Sequence, residues 1–329
     1  MRSLLVSAFL LAVAVYLYPD LTSTAPEHAH FFLFGTPIAH SLSPTFHNTL
    51  FASLDLPKHS YSRHETPTFS PSSPSVLNLL KASSFSGAAV TMPHKVAALE
   101  YMDELADEVK EIGSLNTVVV GQGGRLIGRN TDVDGIRTAL LMTLPEEERR
   151  KDKPFGQDRN AIITLPLSPL YLINRDPSEI DTIISTPAFA KYDIRQLDDE
   201  DAWTEEDAEK VACGVGAIPS FEPETEGEKM VYRVAERVFE TSGKLKGKRP
   251  FMEMAYKPHK TLMYNLALKH GWHPIGGIEG LIYQAAAQQA YWLLDSPVTR
   301  IKGLTEERLR EAVVVAAQKV REEAGAPEA

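Results

Sequence analysis

Short apolar runs closed by glycine or proline alternate with stretches of helical spacing along most of this chain, and that alternation restricts it to an α/β architecture. Phe31 to Phe34 is a buried-strand candidate ended by Gly35 and Pro37. Ser43 followed by Pro44 has the form of a helix N-cap with proline at the first helical position, and Phe46, Leu50, Phe51 and Leu54 then share one helical face. Pro67 to Pro74 reads as a Ser/Pro loop, Gly87 to Thr91 as a strand, Val96 to Ile112 as a helix, and Leu115 to Val120 as a strand ended by Gly121, Gly123 and Gly124. A helix is expected from Ile136 to about Leu144, followed by a charged loop from Glu146 to Asp158. Ala161 to Thr164 and Leu170 to Ile173 are strand candidates, and Asp198 to Asp207 is an acidic surface segment. Val231 to Phe239, Ile278 to Leu294 and Leu304 to Glu323 read as helices.

The 329 residues allow two cores, because domains typically run ~100 to 200 residues. A formal charge of −10 argues against a nucleic-acid surface, which needs clustered Lys and Arg to displace counterions from phosphates. A small-molecule partner fits better. Cys213, the single cysteine, has no disulfide partner within the chain, and no His/Cys cluster has metal spacing, so no metal is expected. Both features suit a reducing, cytoplasmic setting. Arg2 followed by an apolar run from Leu4 to Leu17 leaves three readings of the N-terminus: a dispensable extension, membrane association through residues 4–17, or a cleaved signal.

Three polar clusters fall where a loop meets a secondary element, which is where rigid scaffolds present functional groups. In HSLSP, His40 to Pro44, Ser41 and Ser43 offer hydroxyls to a polyol or carboxylate, although Ser43 is also explained as a helix cap. In VTMPHK, Val90 to Lys95, Thr91 and Lys95 flank a proline turn, and a lone Lys there is ordinarily a solvated charge. In NTDVDG, Asn130 to Gly135, Asp132 has the alternative role of capping the next helix.

Taken together, GTPIAHSLSP, VTMPHK, GSLNTVVV and GRNTDVDG occur in the order and approximate spacing of the shikimate/quinate dehydrogenase family, and the chain resembles that family, its fungal members above all. EMAYKPHKT and GIEGLIYQAAAQQ resemble the family's closing motifs, so the likeness runs from about residue 31 to 294. The resemblance implies an N-terminal α/β substrate-binding domain over residues 30–135 after an apolar segment and linker over 1–29. It further implies a truncated Rossmann-like nucleotide domain over 136–300, whose C-terminal helices return to the cleft, and a C-terminal helix over 301–329. By the same carry-over Lys95 and Asp132 are the catalytic pair. Ser41, Ser43, Thr91, Asn116, Tyr256, Gln284 and Gln288 would contact the substrate, and Asn174, Arg175 and Gly277 the cofactor, NADP or NAD. The chemistry agrees: reducing a ring ketone by hydride leaves an alkoxide, which a positioned ammonium can both stabilise and protonate. Gln284 and Gln288, four apart on a helix, share one face.

Two departures stand out. Ala89 replaces the Asn that commonly precedes Val-Thr in this family. More seriously, the glycine-rich phosphate turn is missing: no Gly lies between Gly156 and Cys213, and only Leu165 to Pro169 separates the two strand candidates. A parallel crossover needs about a dozen residues, and Pro166 and Pro169 exclude a helix from so short a connection. Asp176, directly after Arg175, would repel a 2′-phosphate, and Arg175 is equally explained as a surface residue. The expected function is a dehydrogenase of the 3-dehydroshikimate/shikimate or quinate pair. Alternatives are a non-catalytic sensor of the same acids, or a coding sequence from which the turn has been lost.

Overall fold

The computed structural model describes residues 28–69, 74–149, 169–243 and 249–326. The expected strand Ala161 to Thr164, the apolar run Leu4 to Leu17, most of the Leu165–Pro169 connection and part of the Ser/Pro loop lie outside these residues. The chain divides into two compact units, one built from Met1–Gly135 together with Leu281–Ala329, the other from Ile136–Gly280. Residues 281–329 therefore cluster with the N-terminal unit, where the sequence expectation counted 281–300 within the nucleotide domain as helices returning to the cleft and 301–329 as a separate helix.

The first unit is built on six strands: β1 (Ala29–Gly35), β2 (His59–Glu65), β3 (Phe85–Val90), β4 (Glu104–Leu105), β5 (Thr117–Val120) and β6 (Leu126–Arg129), in the order β2-β1-β3-β5-β6-β4. β1 runs parallel to β2 and β3, whereas β5 is antiparallel to both β3 and β6. β3 and β5 are buried along their whole length, as their continuous small and β-branched runs require of central strands. Helices α1 (Ser43–Ser53), α2 (Pro74–Leu80) and α3 (Asp107–Ile112) intervene, and α4 (Thr131–Met142) follows β6. The expected single helix over Val96 to Ile112 is broken: a 3-10 turn over Ala97–Tyr101 gives way to β4, which pairs with β6 before α3 begins. Helical periodicity alone could not see that pairing. Ser43 does not cap α1, whose boundary residue is Leu42 with no side-chain cap, while Pro44 does fall in the first turn as expected. α4 begins five residues earlier than expected, at Thr131, and Asn130 Oδ1 accepts from Asp132 N at 3.1 Å, so Asn130 rather than Asp132 serves its first turn.

The second unit begins within α4 and continues through α5 (Glu146–Arg149), β7 (Leu170–Leu172), α6 (Pro177–Ser185), β8 (Ile194–Gln196), α7 (Glu205–Lys210), β9 (Gly214–Gly216) and α8 (Glu226–Gly243). β10 (Pro250–Glu253), α9 (Leu262–Lys269), β11 (His273–Ile275) and the start of α10 (Gly277–Ala290) complete it. All its strand pairs among the described residues are parallel, in two separate ladders, β7-β8 and β11-β10-β9. An apolar cavity of about 420 Å³ is lined by β7, by β9 and by the α8 residues Val231, Ala235 and Phe239. Thr204 and Asp207 form a capping box for α7, and Asp207 also accepts from the Tyr171 hydroxyl, so one end of the expected acidic surface segment is structural.

The rest of α10, a five-residue π turn over Tyr291–Asp295 and α11 (Glu306–Ala324) belong to the first unit. Trp292 is fully buried there, its ring 4.6 Å from that of Phe31, and its indole N–H donates to Val118 O at 3.0 Å. Among the described residues no helix is long and apolar enough to cross a membrane.

Candidate functional site

Strand direction assembles the site. Because β5 is antiparallel to β3 and β6, the start of β5 lies at the sheet edge where β1, β3 and β6 end. At that edge the chain leaves β1 toward Ser41 and Ser43, leaves β3 through Thr91 to Lys95, enters β5 from Asn116, and leaves β6 into α4, which carries Asp132. The carboxyl ends of strands are where α/β sheets ordinarily bind ligands.

Lys95 Nζ donates to Asp132 Oδ2 at 2.5 Å, with 34% and 23% of the two side chains exposed. Lys95 is held by its own backbone, whose carbonyl accepts from Leu115 N at 2.9 Å. Asn116, 3% exposed, is fixed by two donors on Oδ1, Thr131 N and Thr117 Oγ1, both at 2.7 Å. A backbone N–H can only donate, so the carbonyl end of the amide must face Thr131 and Nδ2 faces the other way, toward Gln284 Oε1 at 3.4 Å. Gln284 Oε1 also accepts from Thr131 Oγ1 at 3.2 Å, which leaves the Gln284 amino group directed away from this cluster. Lys95, Asn116 and Gln284 thereby offer donors beside one carboxylate, a set suited to an oxygen-rich ligand.

Ser41 Oγ donates to Ser43 Oγ at 3.2 Å and accepts from Ser43 N at 3.3 Å, and both serines are buried. The guanidinium of Arg63 donates to the Ser41 carbonyl, clamping this loop onto β2. Beneath it, Tyr61 is stacked on His47 with centroids 4.1 Å apart, and burial pushes the Tyr61 hydroxyl well above its usual range. Neither residue was singled out by sequence reading. The signal was present as the polar pair His47-Asn48 set between Phe46 and Leu50 of α1: Asn48 bonds the Tyr61 backbone in both directions, at 2.8 and 2.9 Å.

Thr91 is half-buried at the end of β3, where its N–H donates to Phe34 O at 2.8 Å. Gln288 behaves differently from Gln284. It is 1% exposed, and its Nε2 donates to Thr117 Oγ1 at 3.0 Å. Sharing a helical face with Gln284 did not give it the same surroundings.

The remaining expected residues lie in the second unit. Tyr256 is half-buried in the loop after β10. Asn174 Nδ2 donates to Glu179 at 2.7 Å, and its Oδ1 accepts from Asp176 N at 3.0 Å. Arg175 Nη1 donates to Glu228 at 2.9 Å and its guanidinium lies 6.0 Å from the Phe221 ring centre. Backbone N–H groups of Thr225 and Glu224 hold the Glu228 carboxyl below its usual range, so this partner stays ionised. A Cβ on Gly277 would lie 2.6 Å from Met254 O and 2.8 Å from Ala255 O, so the glycine is required by the protein's own backbone.

Residues 33–118 match the family described as shikimate dehydrogenase substrate binding domain. The dehydroquinate dehydratase and shikimate dehydrogenase protein of S. pombe is 28% identical, with a TM-score of 0.61 over 89% of this chain and 52% of that one, so this chain spans about half its length. Mycobacterium tuberculosis shikimate dehydrogenase is 21% identical with a TM-score of 0.61, covering 88% of this chain and 99% of that one. Shikimate 5-dehydrogenase of Thermus thermophilus, solved with NADP(H) and shikimate, is 22% identical with a TM-score of 0.56, covering 88% and 99%. The first unit thus carries a substrate-binding domain of the shikimate dehydrogenase type. The chain as a whole is similar in fold to those solved structures, two α/β units in each case.

Proposed function

We propose that this chain binds a ring-hydroxylated carboxylic acid of the shikimate or quinate class in its first unit and acts there as a dehydrogenase. The observation that carries the reading is the Lys95–Asp132 pair, 2.5 Å apart at the sheet edge where the chain enters β5 from Asn116. In this reading Ser41 and Ser43 take the carboxylate, while Thr91, Asn116 and Gln284 take ring oxygens. Lys95 delivers a proton to the oxygen formed on reduction and recovers it in the reverse direction, and Asp132 holds the ammonium in place.

The hydride partner implied by this chemistry is NADP or NAD, and the described residues of the second unit do not fit its phosphates. Arg175 is engaged by Glu228, Asn174 by Glu179, and the Asp176 carboxylate caps α6 beside them, so a 2′-phosphate would meet ionised carboxylates in place of free donors. That observation favours a second reading, a binding protein that senses the same acids without turnover.

One experiment separates the two. Purified protein is titrated with shikimate, quinate, NADP and NAD by thermal shift, and nicotinamide absorbance is followed with both acids. The dehydrogenase reading expects stabilisation by an acid and by a dinucleotide, with an absorbance change. Stabilisation by an acid alone, with no dinucleotide binding at millimolar concentration, establishes the sensor. No stabilisation by either acid overturns both.

A further inference from the structure

The serine pair assigned to the carboxylate is short of donors. Ser41 Oγ spends its proton on Ser43 Oγ at 3.2 Å and accepts from Ser43 N at 3.3 Å, so the Ser43 hydroxyl proton is what the pair has left for an anion. A carboxylate brings two oxygens, each able to accept more than one hydrogen bond, and withdrawing it from water without a cationic partner is costly. Lys95 does not supply that charge, because Asp132 already neutralises its ammonium at 2.5 Å. The formal charge of −10 on the chain as a whole disfavours an anion further. A carboxylate bound at this loop therefore needs a cation of its own.

Arg63 stands beside the loop. β2 runs parallel to β1 with Arg63 paired to Leu33 and Glu65 to Gly35, so the two strands end at the same sheet edge, and Arg63 Nη2 donates to the Ser41 carbonyl. That bond holds the guanidinium against the segment that carries both hydroxyls. Among the described residues the Ser41 carbonyl is its one hydrogen-bond acceptor, and no carboxylate lies within ion-pair distance of it. Glu65, on the same face of β2, accepts instead from Thr36 Oγ1 at 3.0 Å. Arg63 is exposed, so its remaining N–H groups are open to a ligand arriving from solvent. We propose that Arg63 is the charge-recognising residue of the ring-acid site: its guanidinium receives the carboxylate alongside Ser41 and Ser43, and so selects the acid over its neutral forms. This deepens, and rests on, the reading of the first unit as a ring-acid site.

The test is calorimetric titration with shikimate, quinate and the methyl ester of each, which keeps the ring and its hydroxyls and loses the charge. Wild type, Arg63→Gln and Arg63→Lys are compared at about pH 8, where imidazoles are largely neutral. Loss of a charge-assisted hydrogen bond predicts that Arg63→Gln binds the acid at least about tenfold more weakly than wild type and the ester within about twofold. Arg63→Lys, which keeps the charge, should lose less of the acid's affinity than Arg63→Gln. Equal weakening of acid and ester in Arg63→Gln, the mark of a residue that merely clamps the loop, overturns the proposal, as does unchanged affinity for the acid. If wild type binds neither acid, the ring-acid reading fails by itself, and Arg63 is judged with sodium acetate as the probe. The backbone ¹⁵N signals of Ser41 and Ser43 must then move with acetate in wild type and stay still in Arg63→Gln. No movement in wild type, or the same movement in Arg63→Gln, overturns the assignment.

Discussion

Lys95 and Asp132, 37 positions apart in sequence, meet at 2.5 Å with about a third and a quarter of their side chains still exposed. An ion pair that open to water contributes only about 0–1 kcal/mol to stability, so its geometry is better explained by chemistry than by folding. The dehydrogenase reading predicts that replacing Lys95 by Met lowers the rate of shikimate oxidation by at least about a hundredfold, the usual scale of a positioned proton donor, with little change in melting temperature. Asp132→Asn should lower the rate less, because a hydrogen bond to the ammonium survives. Initial rates and thermal melts on the same preparations check both; a large fall in melting temperature with Lys95→Met would mean that the pair is structural.

His47 gives a pH dependence of known sign. Burial lowers its pKa from 6.5 to about 3, so the folded state refuses a proton that the unfolded chain accepts. Its contribution is complete above about pH 6.5 and is lost as pH falls toward 3, with a slope of up to about 1.4 kcal/mol per pH unit. Urea unfolding at pH 7, 5.5 and 4.5 should show this slope in wild type, and a shallower one in His47→Gln.

Gly87, in the buried strand β3, leaves no room for a side chain. Its φ is +151°, and a Cβ there would lie 2.6 Å from Trp292 Nε1, at the bond from that indole to Val118 O. Gly87→Ala should cost at least about 1–3 kcal/mol by overpacking and a disfavoured backbone, seen as a lower denaturation midpoint at unchanged slope.

The Arg175–Glu228 pair predicts weak discrimination between dinucleotides. Any affinity for NADP should stay within about threefold of that for NAD, and Arg175→Ala should alter neither by more than about twofold. A preference for NADP above about tenfold that Arg175→Ala abolishes would show that Arg175 exchanges Glu228 for the phosphate.

Much of the first unit was legible because its functional motifs sit directly on strand ends: once Val90 closes β3 and Arg129 closes β6, Lys95 and Asp132 can only emerge at one sheet edge. What was not legible depended on groups with no local signature. β4 hides within a stretch of helical spacing, since two residues of strand are specified by their partner on β6 and not by their own pattern. The buried roles of His47, Tyr61 and Gln288 arise from packing among α1, β2, β5 and α10, and a four-residue spacing on a helix says which face a side chain shares, not what lies opposite it.

The place of Trp292 in the first unit has a consequence during synthesis. Phe31, His47 and Tyr61 all pack around an indole that the ribosome delivers after the whole second unit has been made. Phe31, His47 and Tyr61 must therefore wait with their shared aromatic face uncovered until Trp292 arrives, while the inserted unit can close its core around Phe239 and Phe251 beforehand. Nascent chains arrested before residue 292 should expose that waiting face to chaperones and proteases.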